Sequence, residues 1–381
     1  MSNLYYRDIV GNVRVAELTE YPNGDVTIKI GIYNKMYNST DELHFTSLDM
    51  VKRAFKGWVE VENPDDVEDE LDKRFKNKND ARKLLPMKAK LMNEKKLTFP
   101  CIVQYKYNGV RAVMEHYSDK SDMFATDRVR ILSMNNIEYY LPHITDKLTL
   151  KQFISADGGL IRYDGEVYKH NTPLEIIRQK LPYYKKNGGV SKSSLPSNDL
   201  IYVTYDLAID GVPQLKRLQL LRELYNSNVH TCKGVIKLAP FFIVNSYDEI
   251  KNIYDKALED NYEGVIIRSI DNYYNFGGRT YEMMKWKPIY ETECKILDIT
   301  YEGVSDGNME IVMFELKSDV SDVIFRCTPG DRNESWTNEM KLDVYNNKYK
   351  YIGKMATITY RNRSVSGKPL HANVKTIRNY E

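Results

Sequence analysis

The chain has 381 residues, of which 42% are hydrophobic and 28% are charged, and its formal net charge is +2. This composition predicts a soluble globular protein of roughly two or three domains and excludes an intrinsically disordered chain. The net charge decides little about a nucleic-acid partner, because a local basic surface would suffice to bind one. No apolar run approaches the ~20 residues that cross a bilayer, and the first residues lack the apolar core of a secretory signal. We therefore expect a cytoplasmic protein with no membrane partner.

The four cysteines lie far apart in the sequence, at Cys101, Cys232, Cys294 and Cys327. None belongs to a Cys-x-x-Cys or Cys-x-His pattern, which argues against a zinc ribbon, an iron–sulfur site and a disulfide framework. Buried reduced thiols are therefore the expected state of these residues.

Residues 1–65 are predicted to form a small β-rich domain. Within them, Asp25–Ile32 alternates with a period of two residues, as a half-buried strand does, and Leu48–Phe55 has the length of a short helix. A charged linker or helix is predicted at 66–98, because eight of the thirteen residues in Glu60–Asp72 are acidic and the residues that follow are basic.

Strands and helices intermix from 99 to 288, which predicts a domain of the α+β class. The strand candidates are Ile102–Tyr105, Ala112–Glu115, Leu200–Leu207 and Gly264–Arg268. The helix candidates, whose apolar residues recur at helical spacing, are Thr172–Lys180, Leu215–Leu224 and Tyr247–Leu258.

The last part of the chain, 289–381, is predicted to be rich in strands. Short strands separated by turns over such a length are typical of a small β-barrel. The strand candidates here are Cys294–Tyr301, Glu310–Lys317, Val323–Cys327 and Lys354–Tyr360.

Five short segments carry residue types suited to nucleotide chemistry. In Lys106–Arg111 (KYNGVR), a lysine at the end of a predicted strand could be a nucleophile in a phosphate-lined pocket. The other segments, in chain order, are Tyr163–Tyr168 (YDGEVY), Ile201–Asp206 (IYVTYD), Glu263–Arg268 (EGVIIR) and Met284–Lys287 (MKWK). Each segment alone has an ordinary structural explanation, such as an Asp-Gly turn or a solvated strand face.

In order and spacing, however, the five segments resemble the motifs of the nucleotidyltransferases that act through a lysyl–nucleotide intermediate. These are the DNA ligases, the RNA ligases and the mRNA-capping guanylyltransferases. Within that superfamily the chain looks most like a compact ATP-dependent DNA ligase of the viral or phage kind, because Phe99-Pro100 and Gln104-Tyr105 lead into the lysine and Glu291–Asp298 (ETECKILD) follows the last motif. The resemblance covers about residues 85–381.

The resemblance implies an α+β architecture in three parts. A nucleotidyltransferase domain (an ATP-grasp-like adenylation domain) would occupy 99–288, and a C-terminal OB-fold β-barrel would occupy 289–381. The β-rich domain at 1–65 resembles the WGR-like domain of some viral ligases but lacks the Trp-Gly-Arg signature. A private domain that clamps DNA, or one that only supports the core, is the alternative.

The resemblance also implies roles for single residues. Lys106 would be the nucleophile that becomes linked to AMP, assisted by Lys285 and Lys287, which are two residues apart on a predicted strand and so on one face. The residues implied to bind ATP are Gln104, Arg111, Glu166, Tyr205, Arg279, Lys375 and Arg378. An amide such as that of Gln104 can donate to and accept from the adenine edge, and the ring of Tyr205 can stack on the base.

Metal and DNA contacts are implied at four further places. Glu263 and Glu166 would hold Mg²⁺, for which Mn²⁺ would substitute, since Mg²⁺ is held by one or two carboxylates together with waters and phosphates. Arg128 and Ser133 would contact DNA, although Met134 stands where the family usually has an arginine.

The predicted function is the ATP- and Mg²⁺-dependent sealing of 5′-phosphate/3′-hydroxyl nicks in duplex DNA, through a lysyl-AMP intermediate and a DNA-adenylate. We expect a monomer that serves DNA replication, repair and recombination, in the cytoplasm of an infected cell if the source is viral. The alternatives are an RNA ligase of the same chemistry, a capping guanylyltransferase, which Lys-Trp-Lys-Pro at 285–288 also resembles, and a catalytically dead nick-binding protein.

Overall fold

The computed structural model of the chain describes residues 3–7, 13–33, 42–55, 58–67, 70–71, 85–117, 128–153, 161–185, 187–209, 211–227, 234–303, 310–330 and 336–378. Contacts divide the chain into two compact units, Met1–Trp286 and Lys287–Glu381. Among the helices described, none is long and apolar enough to cross a membrane. Cys101, Cys294 and Cys327 are buried free thiols, as predicted, and Cys232 lies outside the described residues.

In its described residues, the first unit begins with an antiparallel sheet of five strands, accompanied by one helix. The strands are β1 (Asn3–Arg7), β2 (Val13–Glu20), β3 (Val26–Ile32), β4 (Glu42–Phe45) and β5 (Val59–Val61), and the helix is α1 (Leu48–Ala54). The sheet order is β4-β3-β2-β1-β5. Ser47 caps α1 by accepting a hydrogen bond from the Met50 N–H, and Val51 on its inner face is fully buried. The predicted strand and helix of this domain are therefore confirmed.

The charged linker or helix predicted at 66–98 is described only in part. The acidic residues before it form a 3₁₀ turn at Pro64–Asp66, where Asn63 accepts a hydrogen bond from the Asp65 N–H. Near its other end the structure has a strand, Lys88–Leu91, which pairs with Arg279–Trp286, so this part of the predicted linker is wrong. Residues 72–84 lie outside the described residues.

The remainder of the first unit contains two further sheets. The first comprises β8 (Val110–Tyr117), β9 (Arg128–Ser133), β10 (Glu138–Tyr139), β11 (Arg162–Tyr168), β12 (Ile201–Leu207) and β13 (Ile236–Leu238), in the order β10-β9-β8-β11-β12-β13. The second comprises β6 (Lys88–Leu91), β7 (Cys101–Lys106), β14 (Phe241–Val244), β15 (Gly264–Ser269) and β16 (Arg279–Trp286), in the order β14-β7-β15-β16-β6. Both sheets are mixed, because the β12–β13 and β16–β6 pairs are parallel.

Within the described part of the chain, four helices accompany these sheets: α2 (Pro142–Thr145), α3 (Leu174–Gln179), α4 (Gln214–Ser227) and α5 (Tyr247–Glu259). Ser246 caps the α5 helix by accepting the Glu249 N–H, and the Glu249 carboxylate accepts the N–H of Asn245, the residue before the cap. Ile250, Tyr254 and Ala257 follow at helical spacing and bury one face of α5 against the second sheet.

The second unit is a closed barrel. Its strands are β17 (Tyr290–Gly303), β18 (Glu310–Lys317), β19 (Ile324–Pro329), β20 (Met355–Tyr360) and β23 (Asn373–Ile377), with a small hairpin of β21 (Asn362–Arg363) and β22 (Pro369–Leu370). The barrel order is β17-β18-β19-β23-β20. Helix α6 (Asn338–Asn346) contributes Val344 to the barrel core. The prediction of a small β-barrel at this end of the chain is confirmed.

Candidate active site

In the sheet β14-β7-β15-β16-β6, alternate side chains along the strands face a cleft and form one of its walls. Cys101 and Val103 of β7 pack in the core beneath α5, whereas Gln104 and Lys106 line the cleft. The same alternation turns Arg268 of β15 toward the cleft. The first sheet supplies the opposite wall through β8, β11 and β12. The cleft holds about 220 Å³, and the predicted site residues that line it are Gln104, Lys106, Arg111, Glu166, Tyr205, Arg279 and Lys285.

The predicted nucleophile stands beside a carboxylate. Lys106 is the last residue of β7, and its Nζ lies 2.5 Å from Glu263 Oε2. The Glu263 N–H also donates to the Lys106 carbonyl at 2.9 Å, which fixes the two residues by backbone as well as side chain. Both side chains are about one-fifth exposed, at 19% and 21%, so the amine is accessible from the cleft.

A second carboxylate enters the cleft from the first sheet. Glu166 on β11 lies opposite Arg111 on β8 in the strand register, and its Oε1 accepts the Gly109 N–H at 3.0 Å. A Cβ at Gly109 would stand 2.5 Å from the Val167 carbonyl oxygen, so only glycine allows this close approach. Burial raises the pKa of Glu166, and the charge of Glu263 raises it further, while Lys106 opposes both effects.

Arg111 is held in a fixed orientation by groups behind the cleft. Its Nε and Nη2 donate to the two oxygens of Asp164 at 3.0 and 2.6 Å, and its Nη1 donates to the Met87 carbonyl at 2.6 Å. The Tyr274 hydroxyl donates to Asp164 as well, at 2.7 Å. Asp164 is fully buried, whereas one-fifth of the Arg111 side chain remains exposed. A bidentate pair of this kind fixes the guanidinium plane as well as its position.

Gln104 leaves a polar atom without a partner in the cleft. Its Nε2 donates to the Tyr205 carbonyl at 3.0 Å, but its Oε1 is buried and has no hydrogen-bond partner among the described residues. A buried acceptor without a partner is costly. This oxygen therefore points to a ligand that brings a donor. The Tyr205 ring beside it lies 5.8 Å from the Arg111 guanidinium.

Three buried charged residues beside the cleft, Asp206, Arg217 and Arg268, form a network that the sequence analysis did not predict. Asp206 on β12 accepts from Arg217 Nε at 2.9 Å and from Arg268 Nη1 at 2.8 Å, and all three side chains are at most 1% exposed. Burial alone would raise the pKa of Asp206, yet the charges of Arg217 and Arg268 hold it below its usual range. The sequence signal was present in the charged ends of the segments IYVTYD and EGVIIR, but charge alone does not separate a buried pair from an exposed one.

Two predicted DNA contacts lie outside the cleft, on β9. Arg128 is paired with Glu138 through both Nη atoms. The Ser133 hydroxyl accepts the N–H groups of Asn135 and Ile137 at 3.2 and 2.9 Å, so it orders the turn that contains Met134. Neither residue lines the cleft, and their contact with DNA stays a prediction.

The remaining predicted residues belong to the second unit. Lys375 Nζ pairs with Glu291 at 2.6 Å, and Arg378 Nε donates to the Thr357 hydroxyl at 2.7 Å on the barrel. Strand β16 ends at Trp286, so Lys287 lies one residue beyond the strand that carries Lys285. Pro288, which lacks an N–H, follows it and cannot donate to a ladder. The implied contacts of Lys287, Lys375 and Arg378 with ATP stay predictions.

Comparison with known proteins agrees with this arrangement. The family model described as "ATP dependent DNA ligase domain" matches residues 86–287, more than half of the chain. The chain belongs to the ATP-dependent DNA ligase family. Its similarity to a DNA ligase of the archaeon Methanosphaera stadtmanae is 27% identity over 207 residues, covering 52% of this chain and 35% of the relative. For a DNA ligase of African swine fever virus the identity is 27% over 206 residues, covering 52% and 44%. This chain therefore matches less than half the length of these relatives.

Solved structures of ligases share the fold. The structure named Pmar-Lig_PreS3 aligns with a TM-score of 0.62 at 18% identity, covering 78% of this chain and 68% of that one. A Lig E DNA ligase aligns with a TM-score of 0.56 at 16% identity, covering 77% and 99%. The predicted fold class and the resemblance to DNA ligases are confirmed.

Proposed function

We propose that this chain seals nicks in duplex DNA, using ATP and a lysyl-AMP intermediate. The observation that carries the proposal is the Lys106–Glu263 pair in a cleft that also gathers Glu166, Arg111 and the partnerless Gln104 carbonyl. The five sequence segments thus meet in one place, as a nucleotide-transfer site requires.

The reaction has three balanced steps. The Lys106 amine, having lost its proton, attacks the α-phosphorus of ATP; a P–N bond forms and pyrophosphate leaves. The 5′-phosphate at the nick then attacks the same phosphorus, so the P–N bond breaks and a P–O–P bond joins AMP to DNA. Finally the 3′-hydroxyl loses its proton and attacks the 5′-phosphate, which forms the phosphodiester and releases AMP.

The residues around Lys106 have different roles in the first step. The Glu263 carboxylate, 2.5 Å from Nζ, orients the amine and is placed to share the proton that the nucleophile gives up. Arg111 and Lys285 present positive charge to the triphosphate from two strands. Preset donors of this kind stabilise charge as it develops on the phosphate oxygens.

Glu166 and Glu263 also fit a magnesium ion. Their oxygens are the hard donors that Mg²⁺ prefers, and the ion is usually held by one or two carboxylates while waters and substrate phosphates complete its shell. Among the described residues no three metal-binding side chains cluster, so two carboxylates with substrate oxygens match what the chain offers. When bound, the ion would neutralise charge on the phosphates.

The choice of base rests on Gln104. With its amide nitrogen engaged by the Tyr205 carbonyl, the side chain offers the base an acceptor. Adenine carries an amino group that can donate to this oxygen, whereas guanine carries a carbonyl at the same ring position. We therefore propose that the site selects ATP over GTP, which disfavours the capping reaction.

DNA would be held through its phosphates, without readout of base sequence. We propose that Arg128 and Ser133 on β9 belong to this surface, and that the protein acts as a monomer in the cytoplasm. Arg128 offers the guanidinium that such contacts use. To bind a DNA phosphate, Arg128 would have to leave its ion pair with Glu138 or contact both groups at once.

One experiment tests the proposal against its alternatives. The protein is incubated with α-labelled ATP or GTP and then given nicked duplexes whose strands are DNA or RNA. We expect protein labelling by ATP and sealing of the DNA nick. Labelling by GTP supports a capping enzyme, sealing of RNA alone supports an RNA ligase, and nick binding without labelling supports a dead binding protein.

A further inference from the structure

The segment Asn272–Tyr274 between β15 and β16, here called the strip, contacts both the N-terminal sheet and a residue that orients Arg111 in the nucleotide cleft. The Tyr273 ring stacks on Phe45 at the end of β4, with centroids 6.0 Å apart and planes 20° apart. The next residue, Tyr274, sends its hydroxyl to Asp164. Neighbouring side chains in extended backbone point to opposite sides. The Tyr273 side chain therefore packs against the N-terminal domain, and the Tyr274 side chain binds Asp164 behind the cleft.

The contact with the N-terminal domain is close over a wider patch. Tyr273 forms a β-bridge with Pro213, two residues after Gly211. A Cβ at Gly211, where φ is +68°, would come within 2.7 Å of the Phe55 ring and 3.2 Å of Ile30. We call Gly211, Pro213 and Tyr273 the docking patch. The core of the N-terminal domain, which includes Phe45 and Phe55, extends onto Tyr273.

Two hydrogen-bonded routes lead from the docking patch into the cleft. The first is Tyr274 to Asp164 to Arg111, which lines the cleft. The second runs through Arg217, whose Nη1 donates to one backbone carbonyl in each of the two segments that form the patch.

These carbonyls belong to Val212, at 2.6 Å, and to Asn272, at 2.9 Å. The Nε and Nη2 atoms of Arg217 donate to the Asp206 carboxylate, which also accepts from Nη1 of Arg268 in the cleft wall. All the charged groups along the second route are buried, so each position depends closely on the next.

We infer that the N-terminal domain, residues 3–71, is a positioning element for the nucleotide cleft. By docking Phe45 on Tyr273 it fixes the strip that orients Arg111 and Arg268, so AMP loading depends on a contact outside the cleft. The inference rests on the proposed function. A domain that only clamped DNA would need no such routes, and weakening its contact with Tyr273 would lower nick affinity instead.

The test replaces Tyr273 by leucine and measures two quantities on the full chain. These are the rate of lysyl-AMP formation as a function of ATP concentration, and the Kd for a nicked DNA duplex. Loss of an aromatic ring pair corresponds to about two- to tenfold in an equilibrium constant. We expect the KM for ATP to rise within that range while the Kd for the nick changes less than about twofold.

Three controls separate positioning from mere loss of stability. Tyr273→Phe keeps the ring pair and should restore the wild-type KM. Phe45→Leu removes the same pair from the other side and should match Tyr273→Leu, with the double variant no worse than either. Val15→Ala opens a cavity in the other core cluster of the N-terminal domain, which does not include Phe45, Phe55 or Tyr273, and should leave the KM near the wild-type value.

The opposite results overturn the inference. An unchanged KM in Tyr273→Leu and Phe45→Leu would show that the contact does not position the cleft. An equal rise in Val15→Ala would assign the effect to domain stability. A weaker nick affinity with normal AMP loading would make the N-terminal domain a DNA clamp. If the wild-type chain forms no lysyl-AMP at all, it is the proposed function that fails.

Discussion

Replacing Asp206 with asparagine removes the negative charge that the buried guanidinium groups of Arg217 and Arg268 share. The carboxylate is fully buried and also accepts hydrogen bonds from the Leu207 N–H at 2.8 Å and from Gln214 Nε2 at 3.1 Å. An asparagine fits the same space, so the change creates no cavity. The change in stability that this substitution causes therefore measures the loss of the charge and of the hydrogen bonds that depend on it.

The expected loss is large because two positive charges would remain buried without compensation. Removing one partner of a buried ion pair costs about 3–5 kcal/mol. A typical domain has only about 5–15 kcal/mol of stability in total. At roughly 2–4 °C per kcal/mol for units of this size, the melting temperature of the first unit should fall by about 6–20 °C. Since the pKa of Asp206 is held low, the loss should be full above pH ~4 and should shrink as acid protonates the wild-type carboxylate.

Calorimetry of the wild-type chain and the variant measures this difference. The matched control is Asp255→Asn, which breaks an exposed pair with Lys251 on α5, where both side chains are about half exposed. An exposed pair contributes less than about 1 kcal/mol, so the control should melt within a few degrees of the wild type. The reasoning fails if Asp206→Asn destabilises the unit no more than Asp255→Asn does.

Three further outcomes are expected. Asp199, whose pKa is lowered to about 2 by hydrogen bonds from Lys169 and Lys180, should contribute stability above pH ~4 that is lost as the pH falls toward 2. In acid titrations Asp199→Asn should therefore flatten this part of the stability curve, and an unchanged curve contradicts the pairing. Chelation of Mg²⁺ should abolish sealing and Glu263→Ala should slow it by about a hundredfold or more, whereas near-normal turnover in that variant removes Glu263 from the site. The Kd for nicked DNA should rise steeply with salt and be indifferent to sequence, and a footprint that prefers one sequence contradicts this.

Local patterns predicted the elements that carry the cleft. The strand candidate Ile102–Tyr105 appears as β7 with one residue added at each end, and the helix candidate Tyr247–Leu258 appears as α5 with one residue added. The structure extends this strand to Lys106, so alternation along β7 brings Gln104 and Lys106 to one face. The positions of strands and helices depend mainly on residues close together in the chain, and these can be read directly from the sequence.

The features that the sequence did not yield depend on distant partners. Arg217 and Arg268 meet Asp206 across 11 and 62 residues, and Tyr274 meets Asp164 across 110. Nothing in the local pattern distinguishes these buried charges from exposed ones. The contact of Phe45 with Tyr273 is of the same kind, because it depends on how two separately formed sheets meet.

The central claim is that Lys106 is the residue that becomes linked to AMP, and it can be tested by locating the label. The wild-type chain, Lys106→Ala and a control variant at an exposed lysine of α5, Lys256→Ala, are incubated with α-labelled ATP and Mg²⁺, digested and analysed by mass spectrometry. The account predicts one AMP adduct, on the peptide that contains Lys106, in the wild type and the control. Lys106→Ala should carry no adduct and should not seal an ordinary nick with ATP, yet should still close a pre-adenylated nick at a reduced rate. An adduct on another lysine, or undiminished labelling of Lys106→Ala, would contradict the account.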